Sequence, residues 1–248
     1  MTIDFGAIIR DAAVGISSSL EVDARARVPW SERWTVASVA RHVAGTHHVV
    51  AQIVDERPTA DFGRFASLDA PAPTGDEFPS WFAAGTTSLC EALASAPADA
   101  SCWSWYHAGG NVAFWSRRMA YETLVHAWDA GAALGTTQHA ISPEIADDAV
   151  DEYLSVFVDA SRALANAPSG PAIRLNCSDS HRSRALDLSS PGARTVTEAD
   201  GQSALELTGT AWNVLLFLWG RLTPAAAELT VRGDTTVLDR WRELIPPM

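Results

Sequence analysis

Two periodicities of apolar residues follow one another along the chain. Between residues 3 and 22, Phe5, Ile8, Ile9, Ala12, Ile16 and Leu20 fall close to a 3.6-residue repeat, which predicts an amphipathic helix. Val28-Pro-Trp-Ser-Glu-Arg-Trp34 interrupts it as a proline-containing loop. Thr35 is a suitable N-cap for a second helix reaching about Val54, ahead of Pro58. Residues 57–76 hold Pro58, Gly63, Pro71, Pro73 and Gly75 and read as a long connection. A third helix is expected over about 77–96 and a fourth over about 112–133. Between them, Cys102-Trp-Ser-Trp-Tyr-His-Ala-Gly-Gly110 is rich in aromatics and ends in a glycine pair. Ser142 and Pro143 suit the cap and first turn of a fifth helix, extending to about Asn166.

After Ala167-Pro-Ser-Gly-Pro171 the repeat shortens to two. Ile173-Arg-Leu-Asn-Cys177, Ala185-Leu-Asp-Leu188, Thr195-Val-Thr-Glu198 and Ala204-Leu-Glu-Leu207 alternate and are separated by turn residues, as strands of an antiparallel sheet do. Trp212 to Arg221 reads as a buried helix, Glu228 to Arg232 as a further strand and Thr235 to Leu244 as a closing helix. Helices first and strands later predict an α+β protein of two parts, a helical bundle over 1–167 and a small α+β domain over 168–248.

Composition narrows the partners. The net charge of −12 argues against nucleic acid and anionic membranes, which want a basic face. It leaves room for an anionic small substrate, since a few local cations outweigh a mean field. A hydrophobic content of 47% supplies a core without help from a disulfide or structural metal. Cys90, Cys102 and Cys177 are odd in number and widely spaced, which points to reduced thiols in a cytosol. The N-terminus has no charged-then-apolar pattern of a signal peptide, and Ala211 to Trp219 is too short to span a bilayer. A cytoplasmic protein is expected, with a monomer favoured.

The candidate chemistry lies in the helical half. Glu122 and His126 are four apart, which on a helix stacks carboxylate and imidazole on one face. His42 sits in a second helical run, Ser38-Val-Ala-Arg-His-Val-Ala-Gly45. If the two helices pack side by side, two imidazoles and a carboxylate converge. Three such ligands with an open position describe a catalytic divalent metal site, most often zinc. Glu-x3-His alone is common on solvated helix faces. Three features strengthen the metal reading: the apolar neighbours Met119, Leu124 and Val125, the apolar setting of His42, and Asp129 on nearly the same face. Asp129 is a fourth ligand or, better, an acceptor that fixes an imidazole tautomer.

Other residues keep two readings. His47 and His48 are rotated off the face of His42 and read as solvent-facing or interhelical. His107 is a loop residue or an acid/base; His139 and His181 read as loop residues. Trp103, Trp105 and Trp115 either fill a core or wall an apolar pocket. Arg221 is either a charge at a helix C-terminus, which the residues alone favour, or a carboxylate clamp. There is no Gly-rich phosphate loop, nucleophile elbow, zinc-finger spacing or HExxH.

Three segments in order, Trp34-Thr-Val-Ala-Ser-Val-Ala-Arg-His-Val-Ala-Gly45, Arg118-Met-Ala-Tyr-Glu-Thr-Leu-Val-His-Ala-Trp-Asp129 and Leu216-Phe-Leu-Trp-Gly-Arg221, resemble the mycothiol-dependent maleylpyruvate isomerase family of actinobacteria. The resemblance implies a DinB-like N-terminal bundle holding a divalent metal, typically zinc, through His42, Glu122 and His126. It implies a sterol-carrier-like C-terminal domain and a catalytic role for Arg221. It also brings mycothiol as a cofactor and a small carboxylate as substrate.

A metal-bound thiol is deprotonated, and the thiolate is the better nucleophile. Addition to a cis double bond conjugated with a carbonyl, rotation and elimination would yield the trans isomer. In that scheme Asp129 orients His126, and Arg221 holds a carboxylate or stabilises an enolate. Retention of the added thiol would make the protein a mycothiol S-transferase instead. A non-catalytic metal-binding domain and a metal-assisted hydrolase, with Asp129 or His107 as base, are the remaining alternatives.

Overall fold

The computed structural model describes residues 2–58, 72–106, 109–136, 141–158, 172–187, 194–196 and 203–244. The chain divides into two compact units, residues 1–139 and 140–248, and each is described by itself.

The first unit is built on four helices: α1 (Phe5–Asp23), α2 (Val36–Glu56), α3 (Phe78–Ser95) and α4 (Val112–Ala133). Three begin at a side-chain cap. Asp4 accepts from the Ala7 N–H, Thr35 from the Ser38 N–H and Asn111 from the Phe114 N–H; each such cap is worth about 1 kcal/mol. Helix α2 stops where Arg57 turns left-handed at φ 47°. Helix α1 packs on α4, and α2 packs on both α3 and α4. The seams bury Ile9, Ile16, Val39, Val43, Val50, Ile53, Leu89 and Trp115, each contributing roughly 1.5–3 kcal/mol or more. Through its central turns α2 is enclosed nearly all round, from Val43 to His47, so its polar atoms need partners inside the protein.

Between α3 and α4, β1 (Ser101–Cys102) and β2 (Gly110–Asn111) form a two-residue antiparallel ladder. The indole N–H of Trp115 donates to the Trp103 carbonyl at 2.8 Å. Trp103 and Trp105 lean on the same apolar cluster as Ile9, Val50 and Trp115. For these three tryptophans the core-filling reading accounts for the observed packing. His107 and His139 lie outside the described residues.

The second unit opens with α5 (Pro143–Tyr153), capped by Ser142 and continued by a π-helical turn over Leu154–Val158. A five-stranded sheet follows: β3 (Ile173–Cys177), β4 (Arg182–Asp187), β5 (Arg194–Val196), β6 (Leu205–Gly209) and β7 (Thr230–Gly233). Its spatial order is β5-β4-β3-β6-β7. The expectation of an antiparallel sheet needs correction, because β3 and β6 pair in parallel and the sheet is mixed. The β3–β4–β5 meander leaves β5 running in the direction of β3; β6 runs the same way and pairs on the free side of β3. Alternation of buried residues, Ile173, Leu175 and Cys177 on β3 and Leu205 and Leu207 on β6, is the same for either direction. Helix α6 (Ala211–Leu218) packs on α5, β3 and β6, and α7 (Thr236–Leu244) ends the described chain.

An ionic clamp ties α5 to the sheet. Arg184 donates to both oxygens of Asp147, at 2.8 and 2.6 Å, and to Asp151 at 2.5 Å. Ser180 and Arg182 also donate to Asp147. Burial alone would raise the Asp147 pKa, but the Arg184 bonds outweigh it and hold the carboxyl below its ordinary range. Strands begin after 167/168, where the periodicity changes, whereas the compact units divide at 139/140, and α5 is grouped with the sheet.

Candidate metal centre

Helices α2 and α4 lie side by side and bring His42, Glu122 and His126 together. One ligand atom from each falls within 4.8 Å of the others. His42 Nε2 is 2.9 Å from Glu122 Oε1, and His126 Nε2 is 3.2 Å from the same oxygen. The two imidazole rings meet edge to face, 4.8 Å between centroids. His126 is buried, and His42 and Glu122 are half-buried, so the cluster has one open side.

Each of two ligand candidates is held from behind. His126 Nδ1 lies 2.9 Å from Oδ2 of Asp129, which has no exposed surface. That leaves Nε2 as the nitrogen facing the cluster. The second oxygen of Glu122 accepts from the guanidinium of Arg118 at 3.2 Å, one helical turn back. Burial pushes the Glu122 pKa up. Hydrogen bonds from His126 and His42, with the charges of His126 and Arg118, more than reverse this and hold it well below the usual carboxylate range. Burial pushes His126 down, but its bonds to Asp129 and Glu122 prevail and its pKa is raised.

A wall of indoles completes the cluster. Trp34 stacks almost parallel to His126, at 6° and 5.8 Å between centroids, and meets His42 edge to face at 5.3 Å. Trp30 donates its N–H to the other oxygen of Asp129, Oδ1, at 2.6 Å. Neither indole is singled out by sequence spacing, because both stand in a loop far from α4 along the chain. Arg118 carried a legible signal: it is four residues before Glu122, the same interval that links Glu122 to His126.

The donor set suits a divalent metal. Two imidazole nitrogens and a carboxylate oxygen converge with an open side, and an acceptor sits behind one imidazole, as zinc sites of the catalytic kind require.

The neighbouring histidines are placed otherwise. His47 is fully buried between helices, with Thr86 Oγ1 3.1 Å from Nδ1 and Thr123 Oγ1 2.9 Å from Nε2. His48 stacks on Trp81 at 4.4 Å. Gly85 makes room for it, since a Cβ there would come within 2.7 Å of His48 Nε2. In the second unit Arg221 is 5% exposed; it donates to the Trp219 carbonyl at 3.0 Å, with its guanidinium 5.2 Å from the Trp219 ring.

Comparison with known proteins gives a consistent result. Residues 10–131 match the Mycothiol maleylpyruvate isomerase N-terminal domain, and residues 144–240 match the MDMPI C-terminal domain. A search of curated proteins finds no match. Among solved structures, the mycothiol-dependent maleylpyruvate isomerase is similar at a TM-score of 0.65, with 14% identity over 93% of both chains. A histidine-to-alanine mutant of that enzyme is similar at the same TM-score, with 13% identity and the same coverage. At these identities the structures speak for a shared fold. Two domain families in succession over most of its length show that the chain belongs to the mycothiol-dependent maleylpyruvate isomerase family.

Proposed function

We propose that this protein is a metal- and mycothiol-dependent enzyme of the maleylpyruvate isomerase type, acting on a small unsaturated keto acid. The observation that carries the reading is the meeting of His42 Nε2, His126 Nε2 and Glu122 Oε1 on one open-sided cluster. In this reading those three groups hold a divalent metal, zinc by its ligand types. When bound, the metal supplies the charge that keeps a thiol ionised at neutral pH, and mycothiol supplies a nucleophile whose reversible addition frees a conjugated cis double bond to rotate.

The chain's own residues then have defined tasks. Asp129 fixes the orientation of His126 and keeps Nε2 toward the cluster. Arg118 holds one oxygen of Glu122 so that the other stays aligned with both imidazoles. Trp34 shields the face of His126 from water. Arg221 is the proposed holder of the substrate carboxylate or of charge developing on its carbonyl oxygen.

The test is turnover of maleylpyruvate by zinc-loaded protein, with and without mycothiol, for the wild type and His42→Ala. We expect trans product only with mycothiol, and a loss of at least 100-fold in His42→Ala, the order seen when a group central to catalysis is removed. Turnover without mycothiol would assign hydrolysis or another thiol-free chemistry. Accumulation of a stable thioether would assign S-transfer. Undiminished zinc occupancy in His42→Ala would refute the ligand set.

A further inference from the structure

Trp30 is only half-buried and sits in a loop, yet its N–H reaches a fully buried carboxylate on α4, 99 positions away. The 2.6 Å contact to Asp129 Oδ1 is a charge-assisted bond, stronger than a neutral one. Oδ2 of the same carboxylate faces His126 Nδ1 at 2.9 Å. A carboxylate pinned at one oxygen cannot swing about its last torsion, so the other oxygen stays in line with the imidazole.

The loop that delivers Trp30 is itself fastened. The Val28 N–H donates to the Trp34 carbonyl at 3.2 Å, the Val36 N–H donates to the Ala26 carbonyl at 3.0 Å, and Arg27 bridges Thr35. The same short loop lays Trp34 against the His126 ring. His126 is thus held edge-on through Asp129 and face-on by Trp34, both controlled from one segment.

We propose that Trp30 is a positioning residue of the metal centre, acting through Asp129 to hold His126 with Nε2 turned toward Glu122 and His42. The proposal rests on the metal reading above. It assigns Trp30 no contact with metal, thiol or substrate. Outer partners of metal-bound histidines are worth about 10–100-fold in metal affinity, and a donor one bond further out is expected at the lower end.

The experiment compares Trp30→Phe, which keeps an aromatic ring but loses the N–H, with Trp30→His, which restores a ring N–H. Zinc affinity is measured by competition with a chromophoric chelator, and the visible absorption of the cobalt-loaded protein reports ligand geometry. Trp30→Phe should bind zinc about tenfold more weakly and show a shifted cobalt band, with Trp30→His partly restoring both. In Asp129→Asn the partner is already altered, so adding Trp30→Phe should cost little more, a non-additivity expected only of residues acting in one chain.

Wild-type affinity and an unchanged cobalt band in Trp30→Phe would overturn the proposal, as would losses that simply add in the double variant. Failure of Trp30→Phe to fold, read by circular dichroism, would assign Trp30 to stability and overturn it too. Failure of the wild type to bind zinc would overturn the metal reading, and this one with it; normal binding by both proteins would overturn this one alone.

Discussion

At position 47 an imidazole lies in a fully buried slot whose hydrogen-bond partners are two threonine hydroxyls. Thr123 Oγ1 also donates to the Met119 carbonyl at 2.7 Å, and Thr86 Oγ1 to the Phe82 carbonyl at a looser 3.2 Å. Each hydroxyl has one proton. The bond to Met119 holds that of Thr123, which therefore accepts from His47 Nε2–H. Burial, which denies a charged ring its water, pulls the His47 pKa down to about 3. A pKa depressed in the folded state gives stability that is complete above the unfolded value near 6.5 and is lost as pH falls toward about 3. Between pH 7 and 5 the urea-unfolding free energy of the wild type should drop by about 2 kcal/mol more than that of His47→Gln. Equal slopes would show that His47 takes up a proton while folded. The sequence left His47 as solvent-facing or interhelical, and its partners were not readable because they come from α3 and α4. Glu122 and His126 were readable because their proximity follows from helical arithmetic, and His42 because an imidazole in an apolar run needs a partner. Trp30 was not, since nothing local to a loop tells which buried carboxylate it will meet.

Helices were the most legible elements. Caps at Thr35 and Ser142, and the span of α4 from Val112 to Ala133, follow from residue types that leave little choice. Strand positions were legible from alternation, but pairing was not: the parallel contact between β3 and β6 depends on how the chain returns, and alternation carries no direction. The two-residue ladder of β1 and β2 is too short to leave any periodicity. The join between α5 and β4 shows what holds such elements once formed. Arg184, 2% exposed, has its charge met by Asp147 and Asp151. Removing Asp147 leaves a buried guanidinium with only the half-exposed Asp151 opposite. Asp147→Ala should therefore cost about 3 kcal/mol in urea unfolding, near the lower end for breaking a buried pair. Asp147→Leu combined with Arg184→Met should cost much less than the two single changes summed. Simple additivity would mean that the clamp contributes nothing as a unit.

Seen whole, the molecule's α+β class was legible from the order of its periodicities. No described helix is long and apolar enough to cross a membrane. A cation that binds only the folded chain stabilises all of it by mass action, by about 2.7 kcal/mol at a hundredfold excess over its dissociation constant. Zinc should raise the melting temperature of the wild type and leave that of His42→Ala unchanged. The setting of His126 then adds a condition. Its two ring nitrogens face Glu122 and Asp129 at 3.2 and 2.9 Å, and these carboxylates push its pKa up. In the proposed reading a metal needs Nε2 free of a proton, so ion and proton compete for that nitrogen. Calorimetric heats will scale with the buffer's ionisation enthalpy, and acidification will favour the proton and release the ion.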